Sequence, residues 1–223
     1  MMDLSVLENC SLFKGIKKTE LEKLLSDVSY SIQSFEKDEI IFQAEEPAKK
    51  AAIVLEGRIQ GFRIFHSGHQ VNVSTKSAGD IIGHAPVFAI QKNYPCTVRA
   101  MEPSELMFLQ RDDILDLLQR DKRILYNFLE SLSTLTYSMG QRLELLSYRG
   151  IAQKAAYWLL LQSEHTDGSR VKIPESMTQL AMLLNVSRPS LHRELKSMHD
   201  SGLIDYEPPV IVIKDREALQ NML

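Results

Sequence analysis

Two cysteines in 223 residues, Cys10 and Cys96, are too few for a disulfide framework or for an iron–sulfur cluster held by four thiolates. No run of about 18 apolar residues occurs, and the start lacks a basic segment followed by an apolar one. Neither a membrane span nor a signal peptide is therefore expected. Excess positive charge is also missing: 26 Lys and Arg stand against 29 Asp and Glu, for a net charge of −3. Nucleic acid, if bound, must be held by local clustering of charge rather than by a basic body. There is no phosphate-cradling glycine loop, no His-Glu-x-x-His, no Gly-x-Ser-x-Gly and no cysteine with an identifiable histidine partner. No catalytic residue and no metal ligand is assigned, and an enzyme is not expected. The remaining composition, 44% hydrophobic and 25% charged residues, fits a cytoplasmic protein long enough for two small domains.

The most informative stretch runs from Ser176 to Leu203. Ser176 with Gln179 three residues on is a helix-capping pattern, and Leu180, Leu183 and Leu184 then recur at helical spacing. Ala181 is small where two helices cross closely. Asn185 stands at a turn, where it tolerates a left-handed backbone, and Val186 plugs the corner. Ser187 is placed to cap a second helix, and Pro189 falls in its first turn, where a missing N–H costs little. Leu191, Leu195 and Met198 face inward by spacing. That leaves Ser187, Arg188, Pro189, Ser190, His192, Arg193 and Lys196 as candidates for a DNA-facing surface. The competing reading is an ordinary helical hairpin with a solvated basic face. The residues after this stretch favour a winged helix: Gly202 ends the helix, Glu207-Pro208-Pro209 makes a turn, and Val210 to Ile213 reads as a strand. The turn is acidic and holds no Arg, so the wing itself should add little phosphate binding. From Arg149 onward nine basic residues balance nine acidic ones, so DNA affinity should be moderate and strongly salt-dependent.

The first 110 residues read as short strands after a helical start at Leu21, Leu24 and Leu25. The strands are expected at 30–35, 40–42, 51–55, 58–65, 70–75, 97–100 and 105–109, with turn signals at Glu56-Gly57, Ser67-Gly68 and Ala78-Gly79-Asp80. A sandwich or jelly roll is expected. From Asp121 to Leu146 there is no Pro and a single Gly. Leu125, Phe128, Leu132, Leu135 and Met139 alternate steps of three and four, resumed by Leu143 and Leu146, as on the seam of a two-stranded coiled coil, the other reading being a helix packed on its own domain. Ser147-Tyr148-Arg149-Gly150 reads as the hinge into the winged helix, whose first helix should span 151–163. The fold class is α+β: an N-terminal double-stranded β-helix (jelly roll) over 1–120, a dimerisation helix and hinge over 121–148, and a C-terminal winged helix-turn-helix over 149–223.

This order resembles the Crp/Fnr family of bacterial transcription regulators, over nearly the whole chain. The residues that carry the likeness are Leu12-Phe13-x-Gly15-Ile16, Glu39-x-Ile41-Phe42-Gln43, Leu55-x-Gly57-x-Ile59, Gly79-Asp80-Ile81-Ile82-Gly83, Ile151-Ala152-Gln153 and Val186-Ser187-Arg188. The resemblance implies a cyclic-nucleotide-binding-like roll, a homodimer, DNA as partner and RNA polymerase as a further one. Nucleotide binders of the family place a Glu after the second Gly of the Gly-Asp segment, and an Arg-Ser or Arg-Thr pair about ten residues on. Here those positions hold His84, Tyr94 and Pro95. Without the guanidinium no charge-assisted phosphate contact forms, so a cyclic nucleotide is not the expected effector. The oxygen-sensing branch uses an N-terminal cysteine cluster where only Cys10 stands, so an iron–sulfur cluster is not expected either.

The effector pocket is expected between Gly83 and Thr97, with His84, Phe88, Tyr94 and Cys96, closed by the long helix around Thr134 to Ser138. Its low polarity suits an aromatic or otherwise hydrophobic small molecule, which the sequence does not identify. The cofactor stays unknown: His84 as an axial haem ligand is one reading and a hydrogen-bonded loop histidine the other. His66 and His69 flank a turn with no third ligand, and nothing places Cys10 beside Cys96. The expected function is a homodimeric regulator reading an inverted-repeat operator on double-stranded DNA, with half-sites roughly 34 Å apart. The alternative is a sensor module, for a small molecule or haem, whose main role is ligand binding.

Overall fold

A computed structural model describes residues 5–64, 70–164, 168–174 and 176–223. The chain forms two compact units, 1–134 and 135–223.

The first unit opens with α1 (Ser5–Glu8), a 3₁₀ turn (Ser11–Phe13) and α2 (Lys18–Ser26). Among the described residues eight strands come next: β1 (Tyr30–Phe35), β2 (Ile40–Phe42), β3 (Lys50–Glu56), β4 (Arg58–Ile64), β5 (Gln70–Ser77), β6 (Ile81–Ile82), β7 (Thr97–Ala100) and β8 (Ser104–Gln110). They form two four-stranded antiparallel sheets, ordered β1-β8-β3-β6 and β2-β7-β4-β5. Phe42 of one sheet meets Phe108 of the other edge-on at 5.9 Å, and Ala52, Val54, Ile59, Val98 and Leu106 fill the space around them. Alternation on β8 then decides its second face: Met107 and Leu109 are fully buried opposite Leu106 and Phe108, against the side that carries α3 (Arg111–Arg120). Expected strands and observed ones agree within two residues. The two-residue β6 carries too short a pattern to be read from sequence, and Phe65, the Ser67-Gly68 turn, His66 and His69 lie outside the described residues.

The long helix α4 (Lys122–Ser147) begins on the first unit. Arg123 bridges Asp121 and Glu20 and donates to the Gly15 carbonyl. Asn127 is buried because both hydrogens of its amide are taken, by the carbonyls of Leu12 and Lys14. Phe128, expected on the exposed seam, is instead only 5% exposed and packs into the roll core. The rest of the expected stripe stays outside: Leu125, Leu135, Met139, Leu143 and Leu146 are exposed and Leu132 is half-buried, with Leu129 exposed next to Phe128. The roll takes Ile124 and Phe128, one turn apart on the helix, and leaves the rest of the stripe outside.

The second unit holds the end of α4, then α5 (Ile151–Glu164), β9 (Arg170–Lys172), α6 (Met177–Leu183), α7 (Arg188–Asp200), β10 (Ile204–Glu207), β11 (Val210–Ile213) and α8 (Arg216–Gln220). The strands form one antiparallel sheet ordered β10-β11-β9. Trp158, Leu159, Leu180, Leu184, Leu191, Leu195, Met198 and Ile211 make its core together with Leu145 of α4. Burying each such aliphatic side chain is worth about 1.5–3 kcal/mol. Leu183, expected in that stripe, is 38% exposed, because Leu180 and Leu184 already occupy the inward face one turn apart.

Candidate DNA interface and effector site

The helix-turn-helix is held by caps at all four ends. Ser176 Oγ accepts from Gln179 N at 3.2 Å to start α6, and Ser187 Oγ accepts from Ser190 N at 3.2 Å to start α7. Both helices close with the same pair of backbone bonds. Asn185 N and Val186 N donate to Met182 O and Ala181 O, while Gly202 N and Leu203 N donate to His199 O and Met198 O. Each closure needs one residue with positive φ, supplied by Asn185 at 52° and Gly202 at 75°. Ala181 is buried at the crossing, and Val186 packs on the core edge.

This frame fixes what α7 presents. Leu191, Leu195 and Met198 are buried, while Ser187, Arg188, Pro189, His192, Arg193 and Lys196 are exposed and Ser190 is half-buried. Pro189 sits in the first turn, as its missing N–H requires. Arg193 Nη2 donates to Ser190 Oγ at 3.3 Å, and Ser190 Oγ lies 2.8 Å from Ser187 Oγ. Among the described residues, none of Arg188, Arg193 and Lys196 has a carboxylate within ion-pair distance. Three uncompensated cations over two and a half turns are a local positive face on a domain with no net charge. His192 is not isolated: its Nδ1 lies 3.2 Å from the hydroxyl of Tyr206 on β10. Sequence periodicity does not single out Tyr206, because contact across the wing has no local signal.

In the roll, Gly83 turns with φ 72°, and an added Cβ would come within 3.3 Å of Lys50 O and of the Phe42 and Tyr94 rings. His84 is next in the chain. Its Nε2 lies 3.1 Å from Ser131 Oγ on α4, its ring meets Phe128 edge-on at 5.9 Å, and Phe88 meets Phe128 at 5.4 Å. Among the described residues its Nδ1 is buried without a hydrogen-bond partner. Burial, with a smaller repulsion from Lys76, lowers the His84 pKa to about 4, so the ring is neutral near pH 7.

The other expected pocket residues have framework roles. Tyr94 stacks on Phe42 at 4.2 Å and donates its hydroxyl to Lys50 O at 2.7 Å, and Thr97 Oγ1 accepts from Ala44 N at 3.2 Å. Cys96 is a free, half-buried thiol beside Gly61, and burial raises its pKa. Cys10 is free and buried, its pKa pushed up to about 11 by desolvation, so it is a core residue rather than a reactive thiolate. The structure thus groups His84 and Phe88 with Phe128 and Ser131, two residues of α4 that sequence spacing does not assign to the site.

Residues 32–121 match the cyclic nucleotide-binding domain, and residues 153–222 match the Crp-like helix-turn-helix domain. The chain belongs to the Crp/Fnr family of transcription regulators. It is similar to the cyclic AMP receptor protein of Thermus thermophilus, at 22% identity over 97% of this chain and 98% of that protein. The global nitrogen regulator of Synechocystis is 19% identical over 84% and 86% of the two chains. Among solved structures, CprK complexed with OCPA superposes with a TM-score of 0.67 at 16% identity, covering 91% of this chain and 93% of that one, a likeness of fold. As a Crp/Fnr member the chain is a DNA-binding transcription regulator and not an enzyme. Among the described residues no helix is long and apolar enough to cross a membrane.

Proposed function

We propose that this Crp/Fnr regulator is a cytoplasmic homodimer that inserts one α7 per subunit into successive major grooves of an inverted-repeat operator. The observation that carries the reading is the capped, rigid α7 with Arg188, Arg193 and Lys196 exposed and without carboxylate partners among the described residues. Arg188 and Arg193 suit base edges, most naturally guanine, while Ser187, Ser190 and Lys196 suit phosphate or secondary contacts. Pro189 has no hydrogen to give and contributes at most an apolar contact to a thymine methyl. The exposed 4-3 stripe of α4 is the surface for the second copy. RNA polymerase is the further partner of such a bound dimer.

The effector we infer is a small, weakly charged, largely apolar molecule rather than a cyclic nucleotide. His84, neutral and flanked by Phe88 and Phe128, offers no charge to a phosphate. Tyr94, which stands where nucleotide binders carry Arg, is committed to Phe42 and Lys50 O. Haem held through His84 is not favoured, because one ring nitrogen faces Ser131 and the other is buried. The limits 1–120, 121–148 and 149–223 remain our working division of the chain into domains.

Selection of random duplexes by the full-length protein tests the DNA reading. Enrichment of a two-fold symmetric site with centres about one helical turn apart is expected, and enrichment of nothing, or of an unpaired half-site, would refute it. Calorimetry with cyclic AMP and cyclic GMP tests the effector reading. Micromolar binding of either would overturn it.

A further inference from the structure

Tyr206 lies on the wing strand β10, facing α7. It is held from three directions. Its main-chain N–H donates to His199 Nδ1 at 3.2 Å, its ring meets the His192 ring at 5.8 Å, and its hydroxyl lies 3.6 Å from Met177 Sδ and 3.2 Å from His192 Nδ1. The His199 nitrogen that accepts from Tyr206 cannot also carry a proton for Asp205, whose carboxylate faces Lys214 Nζ at 3.7 Å. His199 therefore anchors the wing backbone, and the anchored wing aims the phenol.

The phenol has one proton and two neighbours able to accept it, Met177 Sδ and, in its Nε2–H tautomer, His192 Nδ1. A thioether sulfur is a weak acceptor and an unprotonated imidazole nitrogen a strong one, so the proton goes to His192 Nδ1. Burial raises the Tyr206 pKa, with a smaller opposing effect from Arg188, which keeps the phenol a donor. A neutral imidazole that accepts at Nδ1 carries its hydrogen on Nε2. His192 is exposed, one turn after Arg188 on the same helix.

We propose that Tyr206 is a positioning residue for DNA recognition: it fixes the tautomer and direction of His192, so that Nε2–H is presented as a donor to an acceptor on the DNA, a guanine O6 or N7 or a phosphate oxygen. The wing thus acts on recognition through α7 and not by touching phosphate itself. The proposal rests on α7 being the helix that enters the groove.

A double-mutant cycle on the full-length protein tests it, using a duplex enriched by selection with the unmodified protein and a scrambled duplex as control. Y206F should weaken binding to the selected duplex about three- to tenfold, the worth of one neutral hydrogen bond, and leave the protein folded, with the scrambled duplex unaffected where the acceptor is a base and weakened alike where it is a phosphate. In an H192A background Y206F should have no further effect. H192Q, whose amide donates at about the reach of Nε2, should retain more affinity than H192A and be insensitive to Y206F. Long-range ¹H–¹⁵N spectra should show the Nε2–H form of His192 in the unmodified protein and a mixture in Y206F. If H192A is costly at one base pair only, the acceptor is a base; if it is costly on every sequence and the salt slope falls, the acceptor is phosphate. A Y206F loss of equal size with and without His192, or no loss in a protein that selects an operator, overturns the proposal. Failure to enrich any operator would instead remove its premise and the proposal with it.

Discussion

The hydroxyl of Tyr157 donates to Glu144 Oε2 across 2.9 Å, joining α5 to the last turns of α4. Two further contacts work in the same direction. Arg142 donates to the Leu183 carbonyl at the end of α6, and Leu145 is buried in the winged-helix core. The break at 148–150 ends a helix but does not release it from the winged-helix domain, so the final turns of α4 pack as part of that unit. Tyr157 is 9% exposed and its hydroxyl has this carboxylate as partner. Tyr157→Phe should lower unfolding stability of the second unit by about 1 kcal/mol. Trp158, the single tryptophan, reports that unit in urea, and an unchanged midpoint would show that the bond contributes nothing.

His84 makes a prediction about pH. Its folded pKa of about 4 lies below the ordinary 6.5, so the unfolded chain binds the proton more tightly. Stability from this group is complete above about pH 6.5 and declines as pH falls toward 4, by about 3 kcal/mol. Urea titrations of the unmodified protein and of His84→Gln between pH 7.5 and 4.5 should diverge, the variant showing the shallower decline. Parallel curves would mean that the imidazole is solvated and not buried.

Asn185 tests the turn of the helix-turn-helix. With φ at 52° it occupies a region that costs most side chains about 1–2 kcal/mol and glycine almost nothing. Asn185→Gly should leave the urea midpoint within about 0.5 kcal/mol, whereas Asn185→Val should lose about 1–2 kcal/mol and weaken DNA binding. Equal stability of the two variants would contradict the left-handed assignment.

The features legible in the sequence are those with a local physical cause. Ser176, Asn185, Ser187, Pro189 and Gly202 each do in the structure what their backbone chemistry requires, because caps and left-handed turns involve residues within five positions of one another. Phe128 departs from its expected place for the complementary reason. Periodicity shows that a helix has an apolar stripe but not which of its members a neighbouring element will cover, and the His84–Ser131 and Tyr206–His192 pairs join residues 47 and 14 positions apart. Tyr94 shows a third case: its place in the motif marks a departure from nucleotide binders, while its contact with Phe42 depends on tertiary packing.

Arg193 and Lys196 should separate by the kind of contact each makes. Arg193→Ala should cost about 1–3 kcal/mol on the selected operator and relax preference at one base pair per half-site, since a base-directed guanidinium is lost. Lys196→Ala should weaken binding on all duplexes alike and reduce the slope of log affinity against log salt by about 1. Gel shifts across a salt series read both. A loss confined to one base pair for Lys196→Ala would reassign it to a base edge.

The exposed stripe on α4 sets the test of assembly. Leu143 is 71% exposed and Met139 58% exposed, so within one chain neither contributes to the core, whereas Phe128 is 5% exposed and packs on His84 and Phe88. Leu143→Glu should therefore leave the fold intact. In a parallel homodimer it places two like charges on a shared seam, and an unpaired buried charge costs several kcal/mol, enough to raise the dissociation constant at least about a hundredfold. Sedimentation should show monomer at micromolar concentration with an unchanged melting temperature, and operator affinity should fall with the dimer. Phe128→Glu should do the opposite: it buries a carboxylate in the roll of each chain and lowers the melting temperature whatever the state of assembly. A Leu143→Glu protein that sediments as a dimer of unchanged strength would place the interface elsewhere, and a Phe128→Glu protein that stays folded but dissociates would restore Phe128 to the seam.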